Sequence, residues 1–267
     1  MLFFSKLSRT SSSITVFAGR ITSPVSLSII SLAVTLFKRY SFGSFKFSVL
    51  KDSSCLTCLA VILLPASTYT LVLTFISTGK VSPLSLSGLN SVFILDGGKQ
   101  IARFDKVNLP NYGVFDDKRN FSSGRMPGPI MLRGLKIGFP ICEDIWEPDV
   151  AECLEESGAD LIIAMNASPF DSTKPERRLQ NVVARGVETG LPVIYVNMIG
   201  GQDELVYDGG SFGINSGGKL ACFSPSFSES VLIVTAQQSM GVLTLTGQLS
   251  PPDSDLTALY RGLCLGL

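Results

Sequence analysis

The spacing of apolar residues gives the chain two textures that meet near Asn90. From there onward the pattern predicts ordinary elements. Ser91–Leu95 reads as a strand, Asp96-Gly97-Gly98 as the turn that closes it, and Gln100–Phe104 as its hairpin partner. Leu135–Ile141 predicts a further strand that ends at Cys142. Pro148 stands where a first helical turn tolerates a missing N–H, and Val150, Cys153 and Leu154 share one face of a short helix that Gly158 stops. Leu161–Met165 is an unbroken apolar run, as expected of a buried strand. The best helix is Lys174–Gly190: Pro175 lies near its start, Leu179, Val182, Val183, Gly186 and Val187 form one stripe, and Arg177, Arg178, Arg185 and Glu188 lie off it. That stripe is expected to pack on a sheet. Val193–Val196 is the next buried strand, and Ser211–Ile214 with Leu220–Phe223 forms a hairpin turning at Asn215-Ser216-Gly217-Gly218. Strands alternating with helices, followed by hairpins, predict an α/β layered sandwich. Gln248–Asp255 reads as a linker and Ala258–Leu267 as the beginning of a helix.

Before Asn90 the apolar runs Val25–Phe37 and Cys55–Ser77 follow neither period. Composition sharpens the contrast. Residues 1–90 hold eight bases, one acid (Asp52), nineteen Ser and no Glu, whereas residues 91–267 hold fourteen bases and twenty-one acids. Charges of +7 and −7 therefore hide inside a neutral total. Three readings compete. Cys55–Ser77 has no charge over twenty-three residues, long enough to cross a bilayer, although Pro65 and several Ser and Thr weaken a span. Met1–Arg39 has transit-peptide composition, yet no clean apolar core with a cleavage site follows it. A translation out of frame accounts for missing Glu, surplus Ser and lost period together, and is preferred.

With 267 residues, 45% of them apolar, the chain can bury a sizeable core. It contains no His, which excludes Ser-His-Asp, Cys-His and His-ligated metal chemistry. Six scattered Cys do not make a disulfide framework, and the single Cys55-Leu56-Thr57-Cys58 pair cannot close a zinc site, so a reducing cytoplasm is the expected setting and no metal is expected. Nucleic acid is a poor partner, because the basic excess sits in the aberrant segment without an aromatic and basic face.

Cys142, at a strand end and followed by Glu143, Asp144 and the only Trp, Trp146, is the first candidate for chemistry. A buried structural Cys is the bland alternative. Without imidazole, a thiol is activated by a neighbouring ammonium, which draws attention to Lys106 in the run Arg103–Phe121. On composition alone Lys106 is a solvated surface base. Cys153, Cys222 and Cys264 read as core or incidental.

Three spaced runs change this picture: Lys106 to Phe121 with Leu109-Pro110-Asn111-Tyr112 inside it, Ile141-Cys142-Glu143-Asp144-Ile145-Trp146, and Asn166-Ala167-Ser168-Pro169-Phe170 leading to Lys174. Together they resemble the glutamine-hydrolysing domain of glutamine-dependent NAD synthetases, within the carbon–nitrogen hydrolase (nitrilase) superfamily. The resemblance runs from about Asn90 to Leu267. It implies a four-layer αββα nitrilase-like sandwich, incomplete at the N-terminus. Residues 1–89 then stand as an unassigned Ser-rich segment, 90–246 as the hydrolase domain, and 247–267 as a linker toward a missing synthetase domain. It also implies a Glu-Lys-Cys triad in which Cys142 attacks the amide of L-glutamine and Lys106 stabilises the oxyanion. Tyr112, Ser168 and Lys174 match glutamine-contacting positions, and Glu143 is a candidate acceptor for the substrate's ammonium.

The departures carry as much weight. The family's triad Glu lies upstream, where this chain has none. Asp117 stands where the family commonly carries Glu. ATP and Mg²⁺ would belong to the synthetase part, which would receive the ammonia; this chain is expected to need no cofactor of its own. The resemblance also implies a homo-oligomer in the intact family. Impaired hydrolysis is the expectation, with a non-catalytic membrane-associated remnant, or a hydrolase of another small amide, as alternatives.

Overall fold

The structure, a computed structural model, describes residues 11–18, 59–64, 70–76, 88–96, 99–202 and 204–267, and its strands are numbered here in chain order. Two sheets form the body. The first contains β1 (Ser11–Ala18), β2 (Leu59–Leu64), β3 (Thr70–Ile76), β4 (Asn90–Asp96), β5 (Lys99–Asp105), β14 (Val231–Ser239) and β15 (Val242–Gly247). Its spatial order is β15-β14-β1-β2-β3-β4-β5, antiparallel throughout. The second contains β6 (Ile130–Leu132), β7 (Leu135–Gly138), β8 (Leu161–Asn166), β9 (Val193–Asn197), β12 (Phe212–Ile214) and β13 (Leu220–Phe223) in the order β13-β12-β9-β8-β7-β6. Its centre, β7-β8-β9, is parallel. A separate hairpin pairs β10 (Ile199–Gln202) with β11 (Leu205–Asp208). The helices are α1 (Asp117–Asn120), α2 (Pro148–Glu156), α3 (Lys174–Thr189) and α4 (Asp255–Gly266), and a 3₁₀ turn spans Cys142–Ile145.

Strand β8 shows how its sequence builds layers. All six residues are buried, and successive side chains point to opposite faces. Leu161, Ile163 and Met165 enter the core between the sheets with Val92, Ile94, Val234 and Leu245. Ile162 and Ala164 enter a second core with Val150, Leu154 and Val182 from α2 and α3. The result is helix, sheet and sheet, three layers of the expected α/β sandwich.

Several expectations shift. The strand expected over Leu135–Ile141 ends at Gly138, because Pro140 has no N–H for the ladder; alignment with β8 persists as an isolated parallel bridge, Ile141 to Met165. A Cβ at Gly138 would lie 2.6 Å from Leu154 Cδ1, so α2 docks directly on this strand. The stripe assigned to α3 is rotated: Arg178, Val182, Arg185 and Gly186 are its buried residues, whereas Leu179 and Val187 are exposed. Arg178 turns inward because Asp208 pairs with it at 2.8 Å. The linker expected to reach Asp255 ends one residue sooner, where the Ser254 hydroxyl accepts the Thr257 N–H and starts α4. Within the uncharged stretch 55–77 lie β2 and β3, paired antiparallel. Among the described residues no helix is long and apolar enough to cross a membrane. The transit-like stretch 1–39 lies outside the described residues apart from β1.

Candidate active site

The chain leaves β7, passes Pro140 and turns sharply at Cys142, whose φ of 49° lies in the left-handed region that non-glycine residues seldom occupy. The turn places Cys142 on the wall of a cavity of about 340 Å³, within the size range of small-molecule sites. Lys106, Asp117, Met165 and Ala167 share that wall with Cys142, and Phe115, Phe121 and Leu205 add apolar surface. The backbone N–H of Ala167 acts on the Cys142 sulfur in favour of its ionised form. Burial pushes the thiol above its ordinary value; the Lys106 ammonium and the Ala167 N–H pull it down, and Glu143 and Asp117 push it up. The resting sulfur is therefore protonated at neutral pH.

Lys106 follows β5 and is 3% exposed. Its N–H donates to the Asn90 carbonyl (2.8 Å) and its own carbonyl accepts from Gly124 N–H (2.7 Å), which holds its backbone between two segments. Its ammonium meets Asp117 Oδ2 at 2.6 Å. Burial disfavours this charge, but Cys142, the Asp117 hydrogen bond and charge, and Asp144 outweigh burial, so its pKa lies above the ordinary lysine value. Lys106 thus remains an ammonium beside the thiol. The shorter Asp117, in place of the Glu that the resemblance implies, reaches it fully.

The four remaining candidates stand outside the wall of this cavity. Tyr112, half-exposed, donates its hydroxyl to Glu143 Oε1 at 2.7 Å. Burial and that hydrogen bond both raise the phenol's pKa. Lys174 opens α3 with its ammonium 4.9 Å from the centre of the Trp146 ring, an attractive cation–π distance. Ser168 is buried in a polar network instead: its hydroxyl accepts from Arg178 Nε (3.1 Å), its N–H donates to Asn197 Oδ1 (2.9 Å), and Arg178 also pairs with Asp208. Its hydroxyl helps hold the 166–170 loop, which carries Ala167 on the cavity wall.

Sequence reasoning missed two contributors. Asp117, noted only as a substitution, is the carboxylate on the Lys106 ammonium; its position eleven residues downstream, across the turn at Tyr112–Phe115, was the available signal. Ala167 acts through its backbone, and no residue type announces that. Among the described residues no group of three or more Cys, Asp or Glu side chains is placed to hold a metal ion.

Residues 65–243 match the carbon-nitrogen hydrolase family. The glutamine-dependent NAD(+) synthetase of Rhodobacter capsulatus is 38% identical over 179 residues, 67% of this chain and 32% of that protein. That of Aquifex aeolicus is 42% identical over 147 residues, 55% of this chain and 26% of that protein. The chain thus spans about a third or less of the length of these curated relatives. Among solved structures, glutamine-dependent NAD+ synthetase from Acinetobacter baumannii, in complex with ADP, superposes with a TM-score of 0.71 and 25% identity over 95% of this chain and 51% of that one. An amidase mutant from Nesterenkonia sp., with the acetamide moiety of fluoroacetamide covalently added at its active-site cysteine, gives 0.54 and 26% over 63% of this chain and 61% of that one.

Proposed function

The chain belongs to the carbon–nitrogen hydrolase family, and from that premise we propose that it is the glutamine amidohydrolase part of a glutamine-dependent NAD synthetase. The observation that carries the reading is Cys142 on its left-handed turn, sharing a cavity with the Lys106–Asp117 pair. The sulfur adds to the side-chain amide carbon of L-glutamine, and the oxyanion that forms is held by the Lys106 ammonium and by the N–H following Cys142. Collapse breaks the C–N bond, the amide nitrogen leaving as ammonia with the proton the thiol gives up, and the γ-glutamyl thioester that remains is hydrolysed by water to glutamate and the free thiol. The ammonia serves amidation of deamido-NAD by a synthetase domain or chain, where ATP and Mg²⁺ act. Glu143, which already accepts the Tyr112 hydroxyl, is assigned to the substrate's α-ammonium, and Lys174, held over Trp146, to its α-carboxylate.

The upstream segment offers no Glu to take the thiol proton, since Asp52 is its only acid. Loss of a general base costs about 10²–10⁴ in rate, so hydrolysis by this chain is slow. The test incubates the chain with L-glutamine and measures glutamate and ammonia against the Rhodobacter capsulatus relative. Slow release that Cys142→Ala abolishes is expected. A rate equal to the relative's refutes the impairment, and release untouched by Cys142→Ala refutes the reading. A second reading, hydrolysis of another small amide, draws on the structural match to an amidase. Turnover of acetamide in preference to glutamine would favour it.

A further inference from the structure

Cys142 and Lys106 arrive in the cavity from different sheets. Lys106 follows β5 of the seven-stranded sheet, and Cys142 follows β7 of the six-stranded one. Between them the sheets pack through apolar side chains, and such contact is non-directional. It holds two surfaces together without setting the distance between a sulfur and an ammonium. Hydrogen bonds to a carboxylate are short and directional, and one carboxylate spans this gap.

Asp144 is 2% exposed and spends both oxygens on backbone donors. Its Oδ1 accepts the N–H of Val107 (3.0 Å) and of Asn108 (2.7 Å), the two residues after Lys106. Its Oδ2 accepts the N–H of Ile141 (3.0 Å), the residue before Cys142. Both catalytic residues are thus tied, one residue away, to a single planar group. Asn108 adds a second tie on the same side, donating its Nδ2 to Asp149 Oδ1 at the start of α2 (2.9 Å). We infer that Asp144 is the positioning residue that sets Lys106 against Cys142 across the two sheets. This rests on Cys142 being the nucleophile, and not on which amide it attacks.

A loosened structure and a displaced Lys106 affect the thiol oppositely. Loosening exposes a buried sulfur and speeds its alkylation. Loss of a nearby ammonium raises the thiol pKa by about one to three units, which lowers the thiolate fraction, and the alkylation rate, roughly tenfold or more at a given pH. The charged groups acting on the sulfur are Lys106, Glu143 and Asp117.

The experiment follows iodoacetamide modification of the Cys142 peptide by mass spectrometry from pH 7 to 9, needing no substrate. It compares wild type, Asp144→Asn, Lys106→Met and the double variant, with a thermal melt of each. Asp144→Asn is expected to shift the profile to a rate about tenfold lower, Lys106→Met to do the same, and the double variant to be no slower than Lys106→Met alone. An Asp144→Asn profile that is unchanged or faster, whatever its melting temperature, overturns the inference. So does a further tenfold loss in the double variant. Asp144→Ala, which removes the acceptors without adding a donor, replaces Asp144→Asn if the amide, facing the Ile141 N–H with a donor, prevents folding; the same outcomes apply. Failure of glutamine hydrolysis alongside the expected alkylation pattern would fall on the substrate assignment and leave Asp144 in its role.

Discussion

Cys142 lines the cavity, yet burial makes the ionisation of its thiol unfavourable. With the folded-state pKa raised above the unfolded value of about 8.5, this group's contribution to stability is complete below that value. It is lost as pH rises through the folded pKa. The same shift governs reactivity. Alkylation of Cys142 is expected to climb about tenfold per pH unit through pH 9 without a plateau, read from its own peptide; a plateau at or below pH 8 would mean the thiolate is already formed. Asp208 shows the same competition on a structural residue. Burial raises its pKa more than the Arg178 charge and hydrogen bond lower it. Asp208→Asn leaves a buried guanidinium without its counter-charge, a change that costs roughly 3–5 kcal/mol. Urea unfolding is expected to show this, and a loss under 1 kcal/mol would mean that the Arg178 charge finds solvent.

At the scale of elements, the site depends on segments that lie flat against one another. The stretch after α1 runs alongside the end of β5: Phe121 bridges to Gly88, Ser122 N–H donates to the Gly88 carbonyl, and Gly124 N–H donates to the Lys106 carbonyl. A Cβ at Gly124 would collide with the Asp105 backbone carbonyl. Backbone cannot yield as a side-chain tip can, so Gly124→Ala must push the strip off β5 and take the Lys106 carbonyl's partner with it. Expected are a loss of about 1–3 kcal/mol, as for other overpacked sites, and slower hydrolysis. A variant that melts with wild type would mean that the strip is free to slide. Helix α3 makes the complementary point. Its inward face is set by Arg178 and its anchors in the 166–170 loop rather than by the apolar stripe alone, so a helix that looks like a simple core element also holds the loop behind the nucleophile.

At the scale of the whole molecule, the order β15-β14-β1-β2-β3-β4-β5 interleaves distant parts of the chain. The strands β1, β2 and β3, drawn from the Ser-rich first segment, sit between β14 and β4. Phe17 pairs with Val231 on one side, and Ile76 with Asn90 on the other. A chain trimmed to residues 90–267 would lose three central strands and expose two unpaired edges, which favour association with other chains. It is expected to be poorly soluble and to show no cooperative melt. A soluble chain of that length with a single sharp transition would mean that the two remaining parts of the sheet close on each other.

What the sequence determined by itself is what depends on near neighbours. An unbroken apolar run is buried wherever its partners lie, so β8 was legible; a proline at a first turn and a stopping glycine frame α2; a turn-rich tetrapeptide between two apolar runs makes the β12–β13 hairpin. The three spaced runs around Lys106, Cys142 and Ala167 likewise pointed to the chemistry before any fold was known. Tertiary structure decided the rest, because each remaining question turned on a partner far along the chain. Arg178 lies inside because Asp208 is thirty residues on, the β14–β15 hairpin went unread because apolar Val231, Ile233 and Val242 fill exposed positions and hide its alternation, and Asp117 reaches Lys106 only through the turn between them. Asp144 looked like one more acid beside a cysteine. Its three backbone donors come from two segments more than thirty residues apart, and hydrogen bonds across such a distance leave no period in the sequence to read.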